Sequence, residues 1–141
     1  MNTFEYNASP ARVIFGTGTL QKLPEELKRQ NLSAPLVLST PQQVDQAEDV
    51  KKILSGKVAG VFTEAAMHTP TDTTDKALAY AKEINADCVV AIGGGSTTGL
   101  GKAISIRTGL PHISIPTTYA GSEMTPILVG FPWLTAHLRC D

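Results

Sequence analysis

Cysteine is scarce: Cys88 and Cys140 are the only two in 141 residues. Cys88 stands in the apolar run Cys88-Val89-Val90-Ala91-Ile92, where a small buried thiol is common. Two such positions make no disulfide framework, so a reducing compartment is expected. Histidine is equally thin. His68, His112 and His137 lie far apart and show no metal-ligand spacing. They read as a loop residue, a strand residue near the sheet surface and an exposed residue near the chain end. There is no excess of either charge, with 12 Lys and Arg against 13 Asp and Glu and a net charge of -1. That balance argues against nucleic acid or an anionic membrane as the main partner. No apolar run approaches the roughly 20 residues of a membrane span. The opening stretch MNTFEYNASPARVIF lacks a basic start followed by an apolar segment, so no signal peptide is read there. A soluble, cytoplasmic protein is the expectation.

What is present is enough apolar material for a core, 42% of residues against 18% charged, in a length that suits one domain. Short apolar runs alternate with segments of helical period. Arg12-Val13-Ile14-Phe15 reads as a strand stopped by Gly16 and Gly18. Leu20, Leu23 and Leu27 then share a helix face, with Pro24 in its first turn. Pro35 to Ser39 and Val58 to Phe62 read as strands, separated by a helix whose face carries Val44, Ala47, Val50, Ile53 and Leu54. The next helix places Ala77, Tyr80, Ala81 and Ile84 together, and Asp72, Thr73 or Thr74 is its candidate cap. Cys88 to Ile92 is continuously apolar, as a parallel strand covered on both faces should be. Leu100, Ala103 and Ile104 resume the helical period, and His112 to Ile115 is a last strand closed by Pro116. Repeated strand-helix alternation predicts an α/β fold, a Rossmann-like parallel sheet with flanking helices. Ligands of such sheets sit beyond the carboxyl ends of the strands.

Gly93-Gly94-Gly95-Ser96 lies at one such end, between the most apolar strand and a helix. Glycines there let the backbone approach a ligand closely, and a helix start offers unpaired N–H groups and a positive dipole end to phosphate. Ser96 is the candidate N-cap, and Thr97 and Thr98 add hydroxyls. Lys102 lies further along, aimed back at the site or out to solvent. Two familiar phosphate motifs fail. The dinucleotide fingerprint needs glycine where Thr98 stands and an acid about twenty residues on, where Pro111 to Thr118 has none. The P-loop needs glycine at Ser96 and a hydroxyl residue at Ala103.

Three segments in order resemble the iron-containing alcohol dehydrogenase superfamily. They are Phe15-Gly16-Thr17-Gly18-Thr19-Leu20, then Gly93 through Ala103, then Pro116-Thr117-Thr118-Tyr119-Ala120-Gly121-Ser122-Glu123-Met124-Thr125-Pro126. Within it they are most similar to the maleylacetate reductases. The resemblance implies a dehydroquinate synthase-like N-terminal domain over residues 1–128, followed in the family by an all-helical domain. It implies NADH or NADPH as cofactor, with the pyrophosphate on Gly93, Gly94, Gly95, Ser96 and Thr97. Thr117 and Thr118 would line the cofactor. Ser39, and Thr40 beside it, would approach the adenosine ribose. Neither carries a charge, so both dinucleotides stay open. Tyr119 and Ser122 would face the cleft toward nicotinamide or substrate, and Glu123 reads as a local pairing residue. Many members of the superfamily have Asp where this chain has Gly99. The maleylacetate reductases share that loss and are regarded as working without the metal. The implied reaction is reduction of maleylacetate, a dicarboxylate, to 3-oxoadipate in the catabolism of aromatic compounds, by relatives expected to be homodimers.

The resemblance ends after Leu128. Residues 129–141, with Phe131, Trp133 and His137, do not look like the family's continuation, and the helical domain is missing. A truncation, frameshift or retained intron is the expectation. No catalytic residue and no metal ligand is therefore assigned. The alternatives are an inactive nucleotide-binding fragment and a metal-dependent alcohol or glycerol dehydrogenase relative, against which Gly99 argues.

Overall fold

A computed structural model of the chain describes residues 12–119 and 121–124. Four strands make one sheet: β1 (Pro35–Leu38), β2 (Gly60–Phe62), β3 (Cys88–Gly93) and β4 (His112–Pro116). Their order is β2-β1-β3-β4, and every neighbouring pair is parallel. Four helices accompany them: α1 (Leu23–Arg29), α2 (Val44–Ile53), α3 (Thr71–Glu83) and α4 (Gly95–Thr108). The residues predicted to lie on 129–141 fall outside the described residues, as do 125–128.

The strands sort their side chains by alternation. Val89 and Ala91 of β3 join Leu36 and Leu38 of β1 in a core capped by Ala77 and Ala81 of α3 and Leu100 and Ile104 of α4. Cys88, Val90 and Ile92 join Val37 in the opposite core, under Leu23 and Leu27 of α1 and Ala47 and Val50 of α2. Chain direction explains which helix covers which face. A parallel crossover is right-handed, so a step in one direction along the sheet places its helix on one face and a step back places it on the other. The chain steps outward from β1 to β2 through α2, then returns past β1 to β3 through α3 and on to β4 through α4. The reversal leaves a crevice between the carboxyl ends of β1 and β3, the place where ligands of open parallel sheets bind.

The amino edge of the sheet is closed by Asp87. Its carboxylate accepts from the backbone N–H of Ser33 at 2.7 Å and of Ala34 at 3.0 Å, which ties the approach to β1 to the approach to β3. Burial pushes this carboxyl up, but the bonds from Ser33 and Ala34 outweigh it and hold the group below its ordinary range. The neighbouring Cys88 thiol is pushed up to about 12 by burial and by Asp87, so it is an inert core residue.

Three local expectations are corrected. Arg12 to Phe15 is not a strand: Val13 is 62% and Phe15 92% exposed. Alternation alone does not make a strand without a ladder partner, and among the described residues nothing pairs with it. Arg12 is held instead by Glu26 of α1, with two bonds of 2.9 Å. Helix α3 takes no cap from Asp72, Thr73 or Thr74, because it starts at Thr71 behind Pro70. Thr74 lies inside it and donates back to the Pro70 carbonyl at 3.1 Å. His112 is not a surface residue in its reactive part: its Nε2 is buried and has no hydrogen-bond partner among the described residues. Among the described residues, no helix is long and apolar enough to cross a membrane.

Candidate functional site

The crevice is built by the residues that end β1, β3 and β4. Strand β3 closes on Gly93, whose φ of +147° is one that side-chain-bearing residues rarely adopt. The space there is also taken. A Cβ on Gly93 would stand 2.6 Å from Thr97 Oγ1 and 2.7 Å from Gln43 Oε1. Gly94 then caps α4 with extended backbone and no side-chain bond, and its carbonyl receives the first helical bond, from the Thr98 N–H at 3.1 Å. The N–H groups of Gly95, Ser96 and Thr97 precede that donor, so helix geometry leaves them without an in-helix acceptor. Gly95 is exposed, and a Cβ there would meet nothing within 4 Å. Open space therefore fronts the unpaired helix start, which suits an anionic group.

This corrects the role expected of Ser96. The cap lies two residues earlier, at Gly94, and the helix begins at Gly95, so Ser96 sits in its first turn rather than capping it. The hydroxyl residues that follow are sorted by burial. Thr97 is fully buried and its Oγ1 has no partner among the described residues. A buried donor left unpaired costs about 1–3 kcal/mol, so its persistence at the glycine turn marks a place where stability is not maximised. Thr98 is also buried, with its Oγ1 3.4 Å from Ser114 Oγ on β4.

The β4 end supplies the opposite wall. Thr117 donates its N–H to the Gly93 carbonyl at 3.0 Å, and the Thr118 side chain lies 3.3 Å from where a Gly94 Cβ would be. Thr117, Thr118 and the turn are thus brought together. Tyr119 is fully exposed. Ser122 is half-buried and accepts a bond from Lys102 Nζ at 3.1 Å, which settles that Lys102 points toward the segment after β4. Burial lowers the Lys102 pKa, and the Glu123 carboxylate works against that shift.

Ser39 is fully buried, and its hydroxyl donates to the Thr40 carbonyl at 3.2 Å. Thr40 is half-exposed, and its hydroxyl bonds Gln43 Oε1 at 3.2 Å. Gln43 then reaches across Gly93 and donates from Nε2 to Thr117 Oγ1 at 3.4 Å. Sequence reasoning missed Gln43, because one glutamine in Pro41-Gln42-Gln43 carries no positional signal. No group of three or more metal-ligating side chains occurs among the described residues.

Position 99 is shaped by packing. A Cβ on Gly99 would stand 2.7 Å from the hydroxyl of Thr69, a residue that is 4% exposed and holds a φ of +45° in the loop before α3.

Comparison with known proteins agrees with this architecture. The model of the iron-containing alcohol dehydrogenases matches residues 10–131. The maleylacetate reductase of Rhizobium sp. (strain MTP-10005) is 56% identical over 128 residues, which cover 91% of this chain and 36% of that protein. The maleylacetate reductase of Burkholderia cepacia is 54% identical over 127 residues, covering 90% and 36%. A crystal structure of maleylacetate reductase from Agrobacterium tumefaciens superposes with a TM-score of 0.84 at 55% identity, over 91% of this chain and 37% of that one. The chain thus spans little more than a third of the length of these relatives. It belongs to the iron-containing alcohol dehydrogenase family.

Proposed function

We propose that this chain is the cofactor-binding part of an NADH- or NADPH-dependent reductase that converts maleylacetate to 3-oxoadipate. The observation that carries the reading is the open space at Gly95 in front of the unpaired α4 start, placed at the topological switch of the sheet. It fits a pyrophosphate: the N–H groups of Gly95, Ser96 and Thr97 face no in-helix acceptor, and the positive end of the helix dipole lies behind them. Gly93 and Gly94 let the turn come within reach. Thr117 and Thr118 would flank the dinucleotide, Thr40 beside the buried Ser39 would stand on its ribose side, and Tyr119 and Ser122 would lie toward the nicotinamide. The bound dinucleotide supplies the hydride. The chain's own part is to hold and orient it. The substrate class comes from the relatives, which are 54–56% identical maleylacetate reductases.

The test has two stages. Titration of the purified chain with NADH, followed by cofactor fluorescence, should show saturable binding. Residues 1–128 grafted onto the remaining length of the Rhizobium maleylacetate reductase should then oxidise NADH only when maleylacetate is added. A folded chain with no binding at millimolar NADH would leave an inactive remnant. A chimera that reduces aldehydes but not maleylacetate would move the assignment to the alcohol dehydrogenases.

A further inference from the structure

Among the described residues, five that are not glycine hold a positive φ: Asn31, Ser55, His68, Thr69 and Asn85. Four have a local reason. Asn31, Ser55 and Asn85 stand one past the C-caps of α1, α2 and α3, and the next residue of each bonds back into its helix, as Leu32 N–H does to the Leu27 carbonyl at 2.9 Å. His68 is the third residue of a turn that the Thr69 N–H closes on the Ala66 carbonyl at 3.2 Å. Thr69 has no such reason. It is β-branched and buried, and it precedes Pro70, which favours extended backbone of negative φ before it, yet its φ is +45°. Its neighbours hold it there. The bond to Ala66 fixes it on one side. On the other, the Pro70 carbonyl accepts the Thr74 N–H at 3.0 Å and the Thr74 hydroxyl at 3.1 Å. Strain enforced in this way by its surroundings gathers at functional sites.

What the strain achieves is the placement of one hydroxyl. Thr69 Oγ1 occupies the notch that Gly99 leaves in α4, 2.7 Å from where a Cβ would stand. Gly95 and Gly99 are four residues apart, so they share one face of the helix, one turn from each other. The Thr69 hydroxyl thus bears on α4 one turn behind the N–H groups that front open space. That end of the helix has little of its own to steady it. Gly94 makes no side-chain cap bond, and Gly95 adds no side chain. We infer that Thr69 is a positioning residue for the phosphate site: its hydroxyl, held in the Gly99 notch by a strained backbone, fixes the uncapped start of α4 in the geometry that receives the anion. The inference rests on the proposed dinucleotide site and adds to it a residue from the loop between β2 and α3.

The experiment measures the NADH dissociation constant and the urea midpoint of the unsubstituted chain and of the variants Thr69→Gly, Thr69→Ser and Asn85→Gly. Thr69→Gly removes the hydroxyl and relieves the backbone. It should weaken NADH by about tenfold or more while the midpoint stays level or rises, a split that a mere packing residue would not give. Thr69→Ser keeps the hydroxyl and loses only the branch, so affinity should stay within about threefold. Asn85→Gly relieves a positive φ at the exposed end of α3 and should leave affinity within about twofold. Four results overturn the inference alone: unchanged affinity in Thr69→Gly, a fall of affinity and midpoint together in that variant, an equal loss of affinity in Thr69→Ser, or the same loss in Asn85→Gly. Failure of the folded, unsubstituted chain to bind NADH overturns the dinucleotide site and the inference together.

Discussion

The two edges of the sheet follow opposite rules. At the amino edge the Asp87 carboxylate is bonded to the backbone of Ser33 and Ala34, and the Asp87 N–H returns to the Ala34 carbonyl at 3.0 Å. At the carboxyl edge Thr97 Oγ1 is buried without a partner among the described residues, Gly93 holds a backbone conformation that few residues tolerate, and three N–H groups front open space. Large apolar side chains are exposed there as well, with Met67 72%, Tyr119 104% and Met124 59% accessible. One edge is arranged to hold the strands together. The other keeps bonding capacity and space in reserve, which is how binding sites differ from stabilising contacts.

Substitutions can break this contrast. Gly93→Ala has the largest expected effect, because the added methyl meets Thr97 and Gln43 at under 3 Å on a backbone that alanine disfavours. NADH affinity should fall by about a hundredfold or more, with a stability loss of about 2–3 kcal/mol in urea denaturation. An intact affinity would show that the turn is not the phosphate site. Acid should act on the structural side. Burial pushes the His112 imidazole down from its ordinary 6.5 to about 4, and the Lys102 charge adds to the shift. A folded-state pKa below the unfolded one gives stability that is complete above pH 6.5 and is lost as pH falls toward 4. The loss should reach about 3 kcal/mol across that window, and His112→Gln should flatten the profile. A stability that does not change between these pH values would refute it. The smallest effect is expected from Asp87→Ala, which removes the clasp of the amino edge. It should cost about 1–2 kcal/mol in denaturant and leave NADH affinity within about twofold. A large affinity change would mean that the two edges are coupled.

Where the sequence was readable, one local pattern coincided with one tertiary outcome. The unbroken apolar run at Cys88 to Ile92 became the fully buried β3, and Leu23 and Leu27 became the buried face of α1 with Pro24 in its first turn. The glycine turn and the threonines after β4 met in space because both follow adjacent parallel strands. What was not readable depended on partners. Val13 and Phe15 have the composition of a strand, but pairing is a property of two segments. Ser96 has the chemistry of a cap, yet Gly94 and Gly95 already supply the backbone that starts the helix. Ser39 has a hydroxyl at the right strand end, but the pleat turns it into the core. Gln43 enters the site only because the turn after β1 folds back over β3.

The contact between Thr69 and position 99 constrains how this chain can change over generations. The family resemblance sets Gly99 against an aspartate carried by many members of the superfamily. With the Thr69 hydroxyl only 2.7 Å from any Cβ placed there, the aspartate cannot enter alone without displacing a buried neighbour. The path between the two kinds of protein therefore has an order: Thr69 must be replaced by a smaller residue or swung aside first, and only then can the acid be accepted. Position 99 is not free to gain a side chain while Thr69 stands as it does.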